Sequence, residues 1–216
     1  ILVTQKSHHN TSSYLQFLED CIKGGVSVIQ LREKNLDSAA LLEFALILKD
    51  FLQKYRIPLI VNDSLELAIR IKADGLHLGQ NDGDPEEARK VLGPNKILGL
   101  TVNSEIDVTI ANQLPLDYIG IGPIFPTPNK TNAKNIWGIK GLDKAVSLSS
   151  HKTIAIGGIN LNNLQPVLET GVDGIATIGA LHVLRETSPT TSHCDAPRGT
   201  SQIAKQFFQS IRRGNE

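Results

Sequence analysis

Two long cations and an amide close one apolar run of this chain, Val26-Ser27-Val28-Ile29-Gln30-Leu31-Arg32-Glu33-Lys34. Arg32 and Lys34 at the end of a buried strand suit an anion, because cations fixed at a strand's carboxyl end can face a ligand over the sheet. Taken alone, the pair also fits a solvated loop. Asp63 and Asp82 each follow an apolar run as well. If those runs are neighbouring strands, the two carboxylates meet and can hold one hard divalent cation, with waters and substrate phosphate oxygens completing the shell of Mg²⁺. Either Asp by itself also serves as a turn former or helix cap. Thr101, Asn103 and the stretch Gly122-Pro123-Ile124-Phe125-Pro126-Thr127, with Lys130 beyond it, add polar groups to the same rim. Two glycine elements, Ile156-Gly157-Gly158-Ile159-Asn160 and Thr177-Ile178-Gly179-Ala180-Leu181, offer backbone N–H groups to a second anion. A lone Gly-Gly would only turn a strand into a loop, but two such elements at successive strand ends favour phosphate.

These groups converge only if the elements beneath them do. Eight short apolar runs read as strands: Ile1 to Thr4, Val26 to Leu31, Pro58 to Asn62, Gly75 to Gly79, Ile97 to Thr101, Tyr118 to Gly122, Thr153 to Gly157 and Gly174 to Ile178. Helical patterns lie between them, over Tyr14 to Lys23, Ser38 to Tyr55, Leu65 to Ile71, Pro85 to Leu92, Glu105 to Gln113, Leu142 to Ser147 and Leu161 to Leu168, with a last helix near Ser201 to Arg212. Leu41, Leu42, Ala45, Leu48 and Leu52 recur at the spacing of one buried helix face. Strands that are apolar along their length, each followed by a crossover helix, close most simply into a (β/α)8 barrel, an α/β TIM barrel; an open doubly wound sheet is the competitor.

Length and charge narrow the function. The 216 residues suit one barrel domain over 1–216, with a Ser/Thr/Pro-rich surface insertion near 186–199. Lys plus Arg and Asp plus Glu both number 22, so no basic footprint for nucleic acid and no polybasic membrane patch exists; any anion site is local. Cys21 and Cys194 lack metal-like spacing and predict free thiols in a reducing compartment. No apolar run is long enough to span a bilayer and no signal-peptide pattern opens the chain, which makes the cytoplasm the expected location. The chain opens at Ile1 and contains no Met, which leaves room for residues before it. A homo-oligomer is compatible with this sequence. The polar segment Pro126 to Ile139 follows a strand's carboxyl end and reads as a lid. His77 lies inside a strand and reads as a packed residue rather than a base.

With these residues in place, the chain resembles the thiamine-phosphate synthase (thiamine-phosphate pyrophosphorylase) family. The resemblance runs from Gly24 to about Leu184 through GGVSVIQLREK, PLIVND, ADGLHLGQND, ILGLT, DYIGIGPIFPT with Lys130, IAIGGI and GVDGIATIGAL. Each motif is weak alone; seven in order are specific. The resemblance implies a Mg²⁺-dependent barrel transferase of thiamine biosynthesis. Such an enzyme joins 4-amino-5-hydroxymethyl-2-methylpyrimidine diphosphate to 4-methyl-5-(2-phosphoethyl)thiazole, giving thiamine phosphate and pyrophosphate. It further implies that Gln30, Arg32, Lys34 and Asn62 bind the pyrimidine diphosphate and that Asp63 and Asp82 hold Mg²⁺. Thr101, standing where the family usually has Ser, would touch the diphosphate substrate, Lys130 the pyrophosphate, and Thr127 the thiazole. Gly158, Ile178 and Gly179 would receive the thiazole phosphate. Arg32, Lys34, Lys130 and Thr101 form the expected catalytic set.

The chain departs from the family pattern at Asn129 for Thr, Asn103 for His, and Gly179 for Ser. Two rivals follow. A thiazole tautomerase of the same fold resembles this chain less, because it uses a His where Asn103 stands and lacks the full diphosphate and metal set. A non-catalytic thiamine-phosphate-binding protein is suggested by Asn129 and Gly179, but it would not need the retained cations and carboxylates.

Overall fold

A computed structural model describes residues 1–6, 10–128, 135–186, 205, 206 and 209 of the chain. Its eight strands are β1 (Leu2–Val3), β2 (Ile29–Leu31), β3 (Leu59–Asn62), β4 (Gly75–Leu78), β5 (Ile97–Val102), β6 (Tyr118–Ile121), β7 (Lys152–Ile156) and β8 (Gly174–Ala176). They alternate with α1 (Thr11–Gly24), α2 (Ser38–Gln53), α3 (Leu65–Arg70), α4 (Pro85–Leu92), α5 (Glu105–Ala111), α6 (Gly138–Leu148), α7 (Leu164–Leu168) and α8 (Gly179–Glu186). The strands lie in chain order, each parallel to the next. A parallel bridge from Leu2 to Thr177 joins the last strand to the first, so the sheet closes into the expected (β/α)8 barrel. The insertion near 186–199 and the helix expected over 201–212 fall almost entirely outside the described residues.

Alternation along each strand divides the molecule into two layers. Ile29, Leu31, Leu59, Val61, Leu76, Leu78, Leu98 and Leu100 belong to the buried cluster that the helices cover, and α2 contributes Phe44, Ala45, Leu48 and Leu52 to it. Each such leucine removed from water stabilises the fold by about 1.5–3 kcal/mol. Leu41 and Leu42, expected on that face, are half-buried at its margin. The intervening strand positions Gln30, Asn62, His77, Thr101, Tyr118 and Gly120 line a cavity instead. Gly99 is small for a reason: a Cβ there would lie 2.2 Å from Tyr118 Cζ.

Boundaries shift where local bonding competes with the ladder. Val26 donates to Cys21 O and Gly25 to Ile22 O, with Gly25 at φ 117, so this segment ends α1 and delays β2 to Ile29. Asn160 N donates to Asn163 Oδ1 and Asn162 N to Asn160 Oδ1, and these side-chain turns hold α7 back to Leu164. At the start of α1, Asn10 accepts from Ser12 N, which extends the helix to Thr11.

Candidate active site

The carboxyl ends of the strands surround a cavity of about 1070 Å³. Its wall includes every expected site residue that lies among the described residues: Gln30, Arg32, Lys34, Asn62, Asp63, Asp82, Thr101, Thr127, Gly158, Ile178 and Gly179. Lys130 and Asn129, and with them the centre of the expected lid, lie outside the described residues.

Capped helix starts fix several of these groups. Asn62 ends β3, Asp63 follows, and Ser64 then caps α3 by accepting from Leu67 N. After β5, Asn103 precedes Ser104, which caps α5 by accepting from Asp107 N. The strand tip is therefore pinned from both sides, with the site residue on the short link between them. Asp63 adopts φ 67, a left-handed conformation that Asp and Asn tolerate better than most residues. Its backbone N–H donates to His77 O at 2.8 Å, which ties the link to β4.

The two carboxylates come together. Asp82 accepts from Gly79 N at 2.8 Å and lies within hydrogen-bonding reach of Asp63. Burial first, and the neighbouring Asp82 second, raise the Asp63 carboxyl from 3.8 to about 6, while Lys34 and Arg32 pull the other way. Two oxygen ligands held against each other beside open cavity fit a hard divalent cation, which would favour the ionised pair and leave its other positions to water and phosphate. No group of three or more His, Cys, Asp or Glu with metal-binding geometry occurs among the described residues.

The tip of β2 is braced by residues that sequence reasoning passed over. Thr4, fully buried, accepts from Arg32 N at 3.0 Å. Glu33 accepts from Lys6 N at 2.8 and 3.0 Å through its two carboxylate oxygens, and burial raises its pKa. Glu33 is thus turned toward the β1 loop, whereas Arg32 and Lys34 line the cavity. The barrel interior also carries a polar belt. His77 bonds Thr101 Oγ1 and Tyr118 OH, each at 2.8 Å, and Tyr118 is hydrogen-bonded in turn to Gln30. Burial raises the Tyr118 pKa, so the phenol stays protonated. His77 is packed, as expected, but it also orients Thr101. The available signal was alternation: His77 stands between Leu76 and Leu78, which face the helices.

The opposite wall is glycine. Gly157 and Gly158 have φ 101 and 68, and a Cβ on either would meet residues 123–126 at under 3 Å. Their lack of a side chain thus serves close packing on the segment after β6 as well as access to the backbone. Beside them, past the end of the neighbouring strand β8, α8 begins at Gly179, where the sequence pattern indicated no helix. The residue before it, Ile178, has no side-chain acceptor with which to cap the first turn, in contrast to Asn10, Asp37, Ser64, Asp84 and Ser104 on other helices. First-turn N–H groups at the cavity wall and the positive helix end together suit an anion.

Cations beside paired carboxylates on one wall, and glycine backbone with a helix start on the other, define a barrel enzyme for phosphorylated substrates. The family described as Thiamine monophosphate synthase matches residues 1–181. The chain is 45% identical over 191 residues to the thiamine-phosphate synthase of Chlamydia abortus, covering 88% of this chain and 90% of that one. It is 43% identical over 181 residues to the same enzyme of Vibrio campbellii, covering 84% of each. The structure of thiamine phosphate pyrophosphorylase from Pyrococcus furiosus superposes with a TM-score of 0.81 at 28% identity, covering 100% of this chain and 95% of that one. The chain belongs to the thiamine monophosphate synthase family.

Proposed function

We propose that this chain is a transferase that condenses the pyrimidine diphosphate with the thiazole phosphate to give thiamine phosphate and pyrophosphate. The observation that carries the reading is the convergence of Gln30, Arg32, Lys34, Asn62, Asp63, Asp82 and Thr101 on one cavity whose far wall is Gly158, Ile178 and Gly179. That separation gives each substrate its own anion site and leaves the reacting carbon and nitrogen to meet between them.

In this reading the pyrimidine's methylene carbon–oxygen bond breaks, and its electron pair leaves with the diphosphate. The electron-rich aminopyrimidine carries the resulting positive charge. The thiazole nitrogen then donates its lone pair to the methylene carbon. Arg32 and Lys34 receive the charge that grows on the departing oxygen, where it is larger than in the bound substrate. Asn62 and Thr101 orient the diphosphate end, with Thr101 held by His77 at 2.8 Å. Gln30 is 6% exposed and reads the pyrimidine at the cavity floor. Thr127 stands beside the thiazole. Asp63 and Asp82 would hold Mg²⁺, which supplies charge neutralisation for the diphosphate when bound. Catalysis is by positioning and electrostatics, with no covalent enzyme adduct.

No helix among the described residues is long and apolar enough to cross a membrane. The test is direct. The purified chain, incubated with both substrates and Mg²⁺, is expected to form thiamine phosphate and pyrophosphate in equal amounts. A chain that binds both substrates and forms neither overturns the reading.

A further inference from the structure

His182 lies on α8 one turn beyond Ile178. Its Nδ1 is 2.6 Å from Ile178 O, and its Nε2 is 3.0 Å from the Tyr14 hydroxyl. A carbonyl oxygen only accepts, so Nδ1 carries the proton. In the neutral ring Nε2 then accepts, and Tyr14 O–H donates to it. The same hydroxyl accepts from Gln5 N at 2.9 Å. The pair is enclosed: Tyr14 is 0% exposed and His182 9%, with the Phe17 ring centroid 5.0 Å from the imidazole. Buried polar groups in such a setting lose a desolvation penalty's worth of stability when a partner is removed, so the arrangement holds its geometry.

The bond to Ile178 O matters because of what shares its plane. The Ile178 carbonyl and the Gly179 N–H belong to one trans peptide unit and point in opposite directions. Anchoring the oxygen on His182 therefore aims the Gly179 N–H away from the histidine, along the cavity wall that Ile178, Gly179 and Ala180 form. Ile178, the residue before the first turn, has no side-chain acceptor to help fix that direction.

We propose that His182 and Tyr14 are positioning residues for the thiazole phosphate, acting through the Ile178–Gly179 peptide. The proposal rests on the assignment of that phosphate to the Gly158–Gly179 wall. Neither residue touches the substrate; each acts through the turn it holds.

Tyr14→Phe keeps the ring and removes the hydroxyl. It should raise KM for 4-methyl-5-(2-phosphoethyl)thiazole about five- to ten-fold, as expected for one displaced hydrogen-bond donor, with kcat and KM for the pyrimidine diphosphate within about two-fold of wild type. His182→Leu should raise the same KM at least as far, and His182→Asn, which can restore a donor to Ile178 O, should recover part of it. Amide resonances of Gly158 and Gly179 in the wild-type protein, titrated with the thiazole phosphate, separate two kinds of failure. If they do not move, the phosphate subsite is misassigned and the proposal falls with it. If they move but the variants leave the thiazole KM unchanged, or raise both KM values equally as the melting temperature drops, the subsite stands and the positioning role is overturned.

Discussion

At the scale of single residues, the site is built at a cost to the resting protein. Asp63 is ionised at neutral pH beside Asp82, in a half-buried position that raises its carboxyl from 3.8 to about 6. A carboxyl raised on folding binds its proton more tightly in the folded chain. The contribution of this group to stability is therefore fully present below about pH 4, falls as pH rises to about 6, and is lost above it. The bare shift would correspond to roughly 3 kcal/mol, and solvent screening at a half-exposed group reduces this to about 1 kcal/mol. Asp63→Asn keeps the shape and suits the left-handed backbone. In metal-free buffer at pH 7 it should melt about 2–4 °C above wild type, with the gap closing near pH 4. Its turnover should be lost even so. Thermal melts across pH, run beside the product assay, check both halves. A variant no more stable at pH 7 than wild type would show that the two carboxylates do not strain the fold.

The cations make a separate expectation at the same scale. Arg32→Ala and Lys34→Ala should lower kcat by 100-fold or more, as expected on the order of magnitude for a lost stabiliser of developing charge. Affinity for the thiazole phosphate, measured by calorimetry, should change little. A matching loss of that affinity would move both residues to the wrong subsite. These residues were legible because a cation at the end of an apolar run is conspicuous. Thr4 and Glu33 were not, because their part is to hold a backbone, and that depends on a neighbouring strand far away in sequence.

Element by element, the strand count and most helices were legible from apolar runs and turn residues. The differences lie where side chains take over backbone bonds, as at Val26 and at Asn160 to Asn163. α8 was hidden because Gly179 is a poor helix former and Ile178 has no side-chain acceptor, so neither gives a start signal. The His77–Tyr118 link of the interior belt was hidden differently: it occupies alternate positions in runs that read as apolar. Gly99 exposes the tightness of that layer. Gly99→Ala would force its new methyl into the Tyr118 ring, which overpacking data put at about 1–3 kcal/mol. In a Tyr118→Leu background the same substitution should cost much less, and denaturant melts of the four proteins give the coupling. Additive losses would mean that the ring moves aside freely.

For the whole molecule, closure is uneven. β5 spans Ile97–Val102, but β1 spans only Leu2–Val3, and it meets β8 through the bridge to Thr177. Val3 N donates to Thr177 O at 3.0 Å and Thr177 N to Ile1 O at 3.1 Å. Local opening should begin at this seam. Native-state hydrogen exchange is expected to be about ten-fold or more faster at Val3 and Thr177 than in the β5–β6 ladder. Uniform protection around the barrel would remove the seam as a weak point.

Strand order that follows chain order has a consequence for inheritance. In the proposed reading the groups assigned to the diphosphate lie within residues 30–101, apart from Lys130, and those assigned to the thiazole and its phosphate lie within residues 127–179, so the two halves of the site are largely successive stretches of one gene. A single recombination point near Leu114 to Asp117, between α5 and β6, would exchange the half proposed to select the nucleophile, and Lys130 with it, and leave the diphosphate groups from Gln30 to Thr101 in place. Selection on the two substrates can thus proceed on separable DNA, and a chimaera joined there would inherit its leaving group from one parent and its acceptor from the other.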